Sequence, residues 1–145
     1  MAKKRTVIVN YGMGNVGSVA HALDFLGDDY IISCDKSDLE NSHALIFPGV
    51  GSFPAAMANL ERLDLLDELR KQVITNGKPF FGICLGMQLL ARDSTEGGRH
   101  EGLGWIDGHV VDIAGHRSLR VPHVGWNNVE IEQPSPLFER IDESA

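Results

Sequence analysis

The stretch Lys78-Pro79-Phe80-Phe81-Gly82-Ile83-Cys84-Leu85-Gly86-Met87-Gln88-Leu89-Leu90 constrains the fold more than any other part of this 145-residue chain. An apolar run opens after Asn76-Gly77, is short enough for a buried strand, and passes directly into a helical pattern. At the junction stands Cys84, with Gly82 two residues before it and Gly86 two residues after. This is the G-x-S-x-G nucleophile elbow with sulfur in place of oxygen. A sharp strand-to-helix turn lifts the central side chain out of the sheet, and side chains at the flanking positions would collide there. The following helix would aim its N-terminal N–H groups and positive dipole end at the thiol, which favours thiolate. The N–H of Leu85 is then placed to serve as one oxyanion donor. The plainer reading is a small buried Cys with two incidental glycines, and the strand-then-helix context weighs against it.

Ahead of the elbow, strands and helices alternate. Thr6-Val7-Ile8-Val9 is a β-branched run and reads as a strand. It ends in the glycine-rich turn Asn10-Tyr11-Gly12-Met13-Gly14-Asn15, and an amphipathic helix follows to about Leu26. Tyr30-Ile31-Ile32-Ser33 is a second strand and His43-Ala44-Leu45-Ile46-Phe47 a third, stopped by Pro48-Gly49-Val50-Gly51-Ser52-Phe53-Pro54. One helix is expected over about 55–60 and another over 63–75, where Leu65, Leu66, Leu69 and Val73 share a face and Asn76-Gly77 caps the end. The helix after the elbow is expected to reach about Arg92. This alternation predicts an α/β fold with a doubly wound, mostly parallel sheet. Ligands in such sheets sit beyond the carboxyl ends of the strands, so the three glycine-rich loops should share one crevice. Gly12, Gly14 and Gly17 also fit G-x-G-x-x-G, and Asp35 stands about twenty residues on, which keeps a dinucleotide site open as an alternative.

Beyond about residue 103 the pattern changes to alternation over 104–113 and 121–131, which predicts an antiparallel β extension. No repeat, low-complexity segment or linker interrupts residues 1–145, so a single domain is expected. The net charge of -7 argues against nucleic acid or an anionic membrane as the main partner. No run approaches a membrane span and no signal peptide is evident, so a cytoplasmic location is expected. Cys34 and Cys84 make no disulfide framework, and Cys34 reads as a half-buried small hydrophobe. The six histidines are scattered without zinc spacing, so no metal is expected.

Gly82-Ile83-Cys84-Leu85-Gly86-Met87-Gln88 resembles the nucleophile motif of the class I, triad-type glutamine amidotransferases. Met87, where several members carry His, is similar to the branch that supplies ammonia to a cyclase in histidine biosynthesis. Tyr11-Gly12-Met13-Gly14-Asn15, Pro48-Gly49-Val50-Gly51-Ser52-Phe53 and Val121-Pro122-His123-Val124-Gly125-Trp126-Asn127 point the same way. The resemblance implies a glutaminase that needs no cofactor and that passes ammonia to a (β/α)₈-barrel cyclase, which makes imidazole glycerol phosphate and AICAR, the two forming a heterodimer. It implies that Cys84 attacks the glutamine carboxamide, and that Leu85 and the Gly49-Val50-Gly51 loop supply the oxyanion N–H groups. The resemblance also implies that the second donor needs a rearrangement of that loop triggered by the partner, with Gly49 and Gly51 as flexible joints. Gln88 and Glu96 are implied as binders of the substrate's amino and carboxylate groups, with Gly49 a further substrate contact; Gln88 on a helix surface and Glu96 as one loop acid among several are the plain alternatives. Asn15 and Trp126 are implied at the face that docks on the cyclase, Trp126 being otherwise a core aromatic on an edge strand. His123 falls in a family stretch whose His is not the catalytic one.

The triad needs a His base and an acid to orient it. The family carries them as His-x-Glu after the residues that match Pro136-Leu137-Phe138, and no His-x-Glu occurs here. His100 and Glu101 are adjacent, and neighbours on an extended chain point to opposite faces. The chain is therefore expected to be a form of the family protein shortened at its C-terminal side, and inactive by itself. Two other readings stay open: a non-catalytic subunit that docks on the cyclase, and a peptidase-like hydrolase built on the same elbow.

Overall fold

The computed structural model describes residues 5–113, 121–122, 124–126, 128 and 130–139. Contacts divide the chain into two units, Met1–Asp112 and Ile113–Ala145. The first unit holds a four-stranded sheet. β1 (Thr6–Val9) leads through α1 (Val16–Leu26) to β2 (Tyr30–Ser33), and α2 (Lys36–Asn41) leads to β3 (Ala44–Phe47). α3 (Phe53–Arg62) and α4 (Leu66–Arg70), the latter continued by a π-helical turn at Lys71–Thr75, precede β4 (Phe80–Gly82) and the single-turn α5 (Leu85–Gln88).

The order is β2-β1-β3-β4 with every pairing parallel. Strands that feed helices return in parallel only by crossing a face, so both faces acquire helices. Side chains alternate accordingly. Val7, Val9, Leu45 and Phe47 pack with Phe53, Ala56, Leu60, Leu65 and Leu69 on one face, while Ile8 packs with Ala20 and Leu23 of α1 on the other. The sheet is doubly wound as the sequence predicts. Its topological switch lies between β1 and β3, the place where ligands bind in sheets of this kind.

The helices differ from expectation at their ends. α3 starts at Phe53, with Pro54 in its first turn where the missing N–H costs nothing. α5 ends at Gln88 rather than near Arg92, because Leu90 and Ala91 N–H groups turn to Met87 and Gln88 carbonyls three residues back. The short α2 has one buried residue, Leu39, too little to make a periodic pattern.

The β extension also needs correction. It is a sheet of three two-residue strands, β5 (Asp93–Ser94), β6 (His100–Glu101) and β7 (His109–Val110), in the order β6-β5-β7. It begins before residue 103 and is mixed, antiparallel for β5 with β6 and parallel for β5 with β7. The buried Asp93 draws both neighbours in: Arg99 Nη2 donates to it at 2.9 Å and His109 Nδ1 lies 2.7 Å from its other oxygen. The His109 hydrogen bond holds the Asp93 carboxyl below its ordinary range; burial opposes this and Arg99 assists. The 121–131 run forms no strand among its described residues. Val121, Val124 and Trp126 are exposed, so no buried face selects a register. In this second unit Pro136–Phe138 makes a 3₁₀ turn capped by the Ser135 hydroxyl, which accepts from the Leu137 N–H at 3.3 Å.

Candidate active site

β4 carries the chain into the elbow, and the backbone geometry there is strained. Cys84 has φ 54° and ψ -116°, a region that L-residues rarely occupy, at a cost on the order of 1–3 kcal/mol. The strain aims the thiol outward, and Cys84 is exposed. Its neighbours explain the two glycines. A Cβ on Gly82 would meet the Gly86 carbonyl oxygen and Met87 Cα at 2.8 Å, and one on Gly86 would land on the Phe47 carbonyl oxygen. That carbonyl already accepts the Ile83 N–H at 3.0 Å, so it has no freedom to retreat. With only one turn of helix after Cys84, the dipole expected to act on the thiol is that of a few N–H groups, not of a long helix.

The three glycine-rich loops meet as expected. A Cβ on Gly14 would sit 2.9 Å from the Gly49 nitrogen, and one on Gly49 would sit 2.5 Å from the Gly86 nitrogen and 2.7 Å from Leu85 Cβ. Gly14 is thus used to let one backbone pack on another. That leaves the dinucleotide alternative without support, since the fingerprint needs its glycines free to approach a pyrophosphate. Tyr11, from the same loop, is fully buried. Its ring stacks on Phe47 with centroids 4.4 Å apart, and its hydroxyl donates to the Pro48 carbonyl at 2.8 Å. Burial pushes its phenol well above the usual range, and charge on Cys84 adds to the shift.

Among the described residues, backbone donors of Leu85 and of the loop that packs on it have no partner. Among the described residues no hydrogen bond engages the N–H of Leu85, nor those of Gly49, Val50 and Gly51. Val50 projects into solvent. An unengaged N–H beside an exposed thiol and a second set on a facing loop are what an oxyanion developing on a carbonyl requires.

The remaining predicted residues take up distinct positions. Gln88 is half-buried, and its backbone N–H donates to the Cys84 carbonyl at 3.0 Å. Glu96 leaves β5 and accepts the Phe53 N–H at 2.8 Å, while Ser52, the N-cap residue of α3, makes no side-chain cap bond. Asn15 is exposed and caps α1, its side-chain oxygen accepting the Ser18 N–H at 3.1 Å. Trp126 is fully exposed, in the second unit. His123 and Asn127 lie outside the described residues. Cys34 is half-buried against the core, as expected. The sequence reading missed Tyr11 and the capping bond of Glu96, whose partners stand 37 and 43 residues away. Among the described residues no group of three or more His, Cys, Asp or Glu could hold a metal ion.

Comparison with known proteins adds independent findings. The family profile for class-I glutamine amidotransferases matches residues 7–144. The chain is 44% identical over 135 residues to imidazole glycerol phosphate synthase subunit HisH 1 of Campylobacter jejuni (strain RM1221), covering 93% of this chain and 67% of that one. It is 46% identical over 140 residues to subunit HisH of Geobacillus kaustophilus (strain HTA426), covering 94% and 66%. The chain thus spans about two thirds of the length of these relatives. A crystal structure of a glutamine amidotransferase superposes with TM-score 0.63 at 28% identity, covering 77% of this chain and 58% of that one. A putative peptidase E from Listeria monocytogenes EGD-e gives TM-score 0.57 at 16% identity over 74% of this chain and 66% of its own, a likeness of fold alone.

Proposed function

The chain belongs to the class-I glutamine amidotransferase family, and from that membership we propose that it acts as the glutaminase subunit of an imidazole glycerol phosphate synthase. Cys84 is the nucleophile. Its thiolate attacks the side-chain carboxamide carbon of glutamine, the C–N bond breaks as the nitrogen takes up a proton and leaves as ammonia, and water hydrolyses the resulting thioester to glutamate and the free thiol. The Leu85 N–H and a donor from Val50 or Gly51 hold the oxyanion. Gln88 and Glu96 bind the amino and carboxylate ends of the substrate. Glu96 keeps one carboxylate oxygen on the Phe53 N–H and offers the other to the substrate. Ammonia passes to a (β/α)₈-barrel cyclase in a cytoplasmic heterodimer, with Asn15 of the first unit and Trp126 of the second each contributing a contact to the cyclase. No described helix is long and apolar enough to cross a membrane.

The observation that carries this reading is the strained, outward-facing Cys84 set among unengaged N–H groups. No His-x-Glu occurs in these 145 residues, so the roles assigned here are nucleophile, oxyanion donors and substrate binders. The test is glutamate release by the protein expressed from its complete reading frame together with the cyclase. Cys84→Ser is expected to lower turnover by at least about 10³-fold while leaving the complex intact. Full turnover in Cys84→Ser would refute the assignment.

A further inference from the structure

Between Phe47 and α3 lies a loop whose two ends are held and whose middle is not. The Pro48 carbonyl and the Gly49 N–H belong to one planar peptide unit. The buried Tyr11 hydroxyl donates to that carbonyl at 2.8 Å, which fixes the plane and with it the direction of the Gly49 N–H. At the other end the Phe53 N–H belongs to the Ser52–Phe53 unit. Glu96 accepts that N–H at 2.8 Å, and the Ser52 carbonyl accepts the Ala56 N–H at 3.1 Å. Between them stand three peptide planes, those bearing the N–H groups of Val50, Gly51 and Ser52. Among the described residues no hydrogen bond reaches any of the three. Gly51 sits at φ 123°, open to a rotation that a side chain would resist.

We propose that Tyr11 and Glu96 are positioning residues that pin the two ends of this loop, confining its reorientation to the three middle planes so that a rotated N–H meets the oxyanion above Cys84. The inference rests on the glutaminase reading, and it adds a role for Tyr11 and a second role for Glu96. Neither pin touches the reacting atoms in this role. Each acts by removing loop conformers in which the donor points elsewhere, which is a contribution to kcat rather than to ground-state binding. The stacked Tyr11 ring, lying on Phe47 directly before the loop, gives the hydroxyl a fixed base.

Two readouts test it in the complete protein assembled with its cyclase. NMR order parameters of the Gly49, Val50 and Gly51 amides are expected to fall in Tyr11→Phe, which keeps the ring on Phe47 and deletes only the hydroxyl. Glutaminase kcat, taken per Cys84 titrated with a glutamine-like electrophile, is expected to fall about tenfold or more with KM within about twofold. Glu96→Ala is expected to lose kcat similarly; Glu96→Gln, which keeps an acceptor for Phe53, is expected to recover most of the kcat while KM rises in both variants, since both lose the carboxylate assigned to the substrate. Unchanged order parameters, unchanged kcat in Tyr11→Phe, or equal kcat in Glu96→Ala and Glu96→Gln would overturn the proposal. A wild-type complex without glutaminase activity would instead refute the functional reading, and the order parameters would still decide whether Tyr11 pins the loop.

Discussion

Cys84 occupies a backbone conformation that serves its exposure at the expense of stability. Its φ of 54° with ψ -116° suits glycine, and the surrounding packing holds a side chain there regardless. Cys84→Gly is therefore expected to raise stability by about 1 kcal/mol, the relieved strain exceeding glycine's extra unfolded-state entropy. Thermal or denaturant unfolding checks this, and a loss of stability would mean that the thiol's packing outweighs the strain. The elbow was legible in the sequence because Gly82, Cys84 and Gly86 lie within five residues, between an apolar run and a helical pattern. Tyr11 was not legible. Nothing beside it in the chain indicates that its hydroxyl reaches Pro48, since that contact is made by the sheet order.

At the scale of elements, the close approach of α5 to the end of β3 is the tightest contact at the site. Gly86→Ala would drive a methyl group into the Phe47 carbonyl, and a loss of at least about 2 kcal/mol is expected in unfolding experiments. A loss below about 0.5 kcal/mol would show that α5 can shift. The small β6-β5-β7 sheet makes a different prediction, in pH. Asp93 has a folded-state pKa below its unfolded one, so its contribution is present above the unfolded value, ordinarily near 3.8, and is lost as pH falls through the folded value. Wild type is accordingly expected to exceed Asp93→Asn in melting temperature near neutral pH, with the gap closing as pH falls below about 4. A gap that stays constant down to pH of about 2.5 would remove Asp93 from this role. The three- and four-residue strands of the main sheet were readable as apolar runs set between turn residues and helices. The two-residue strands were not, because they are fixed by the Asp93 contacts to Arg99 and His109 rather than by any hydrophobic period.

For the molecule as a whole, the strand–helix alternation and the elbow motif carry both the parallel sheet and the family. The docking face is a proposal that rests on exposed residues. Trp126 is fully exposed, so Trp126→Ala should change folding stability by less than about 0.5 kcal/mol while weakening association with the cyclase by about tenfold or more. Calorimetric titration together with a melting curve separates the two, and equal losses in both would count against an interface role. The central claim, that Cys84 is the nucleophile of a glutaminase, is tested most directly by covalent capture. The protein from the complete reading frame, with its cyclase, would be treated with a glutamine-like electrophile and its peptides read by mass spectrometry. One adduct per chain on Cys84, none on Cys34, and protection by glutamine is the predicted result. No adduct on Cys84, or labelling of both cysteines that glutamine leaves unchanged, would contradict it.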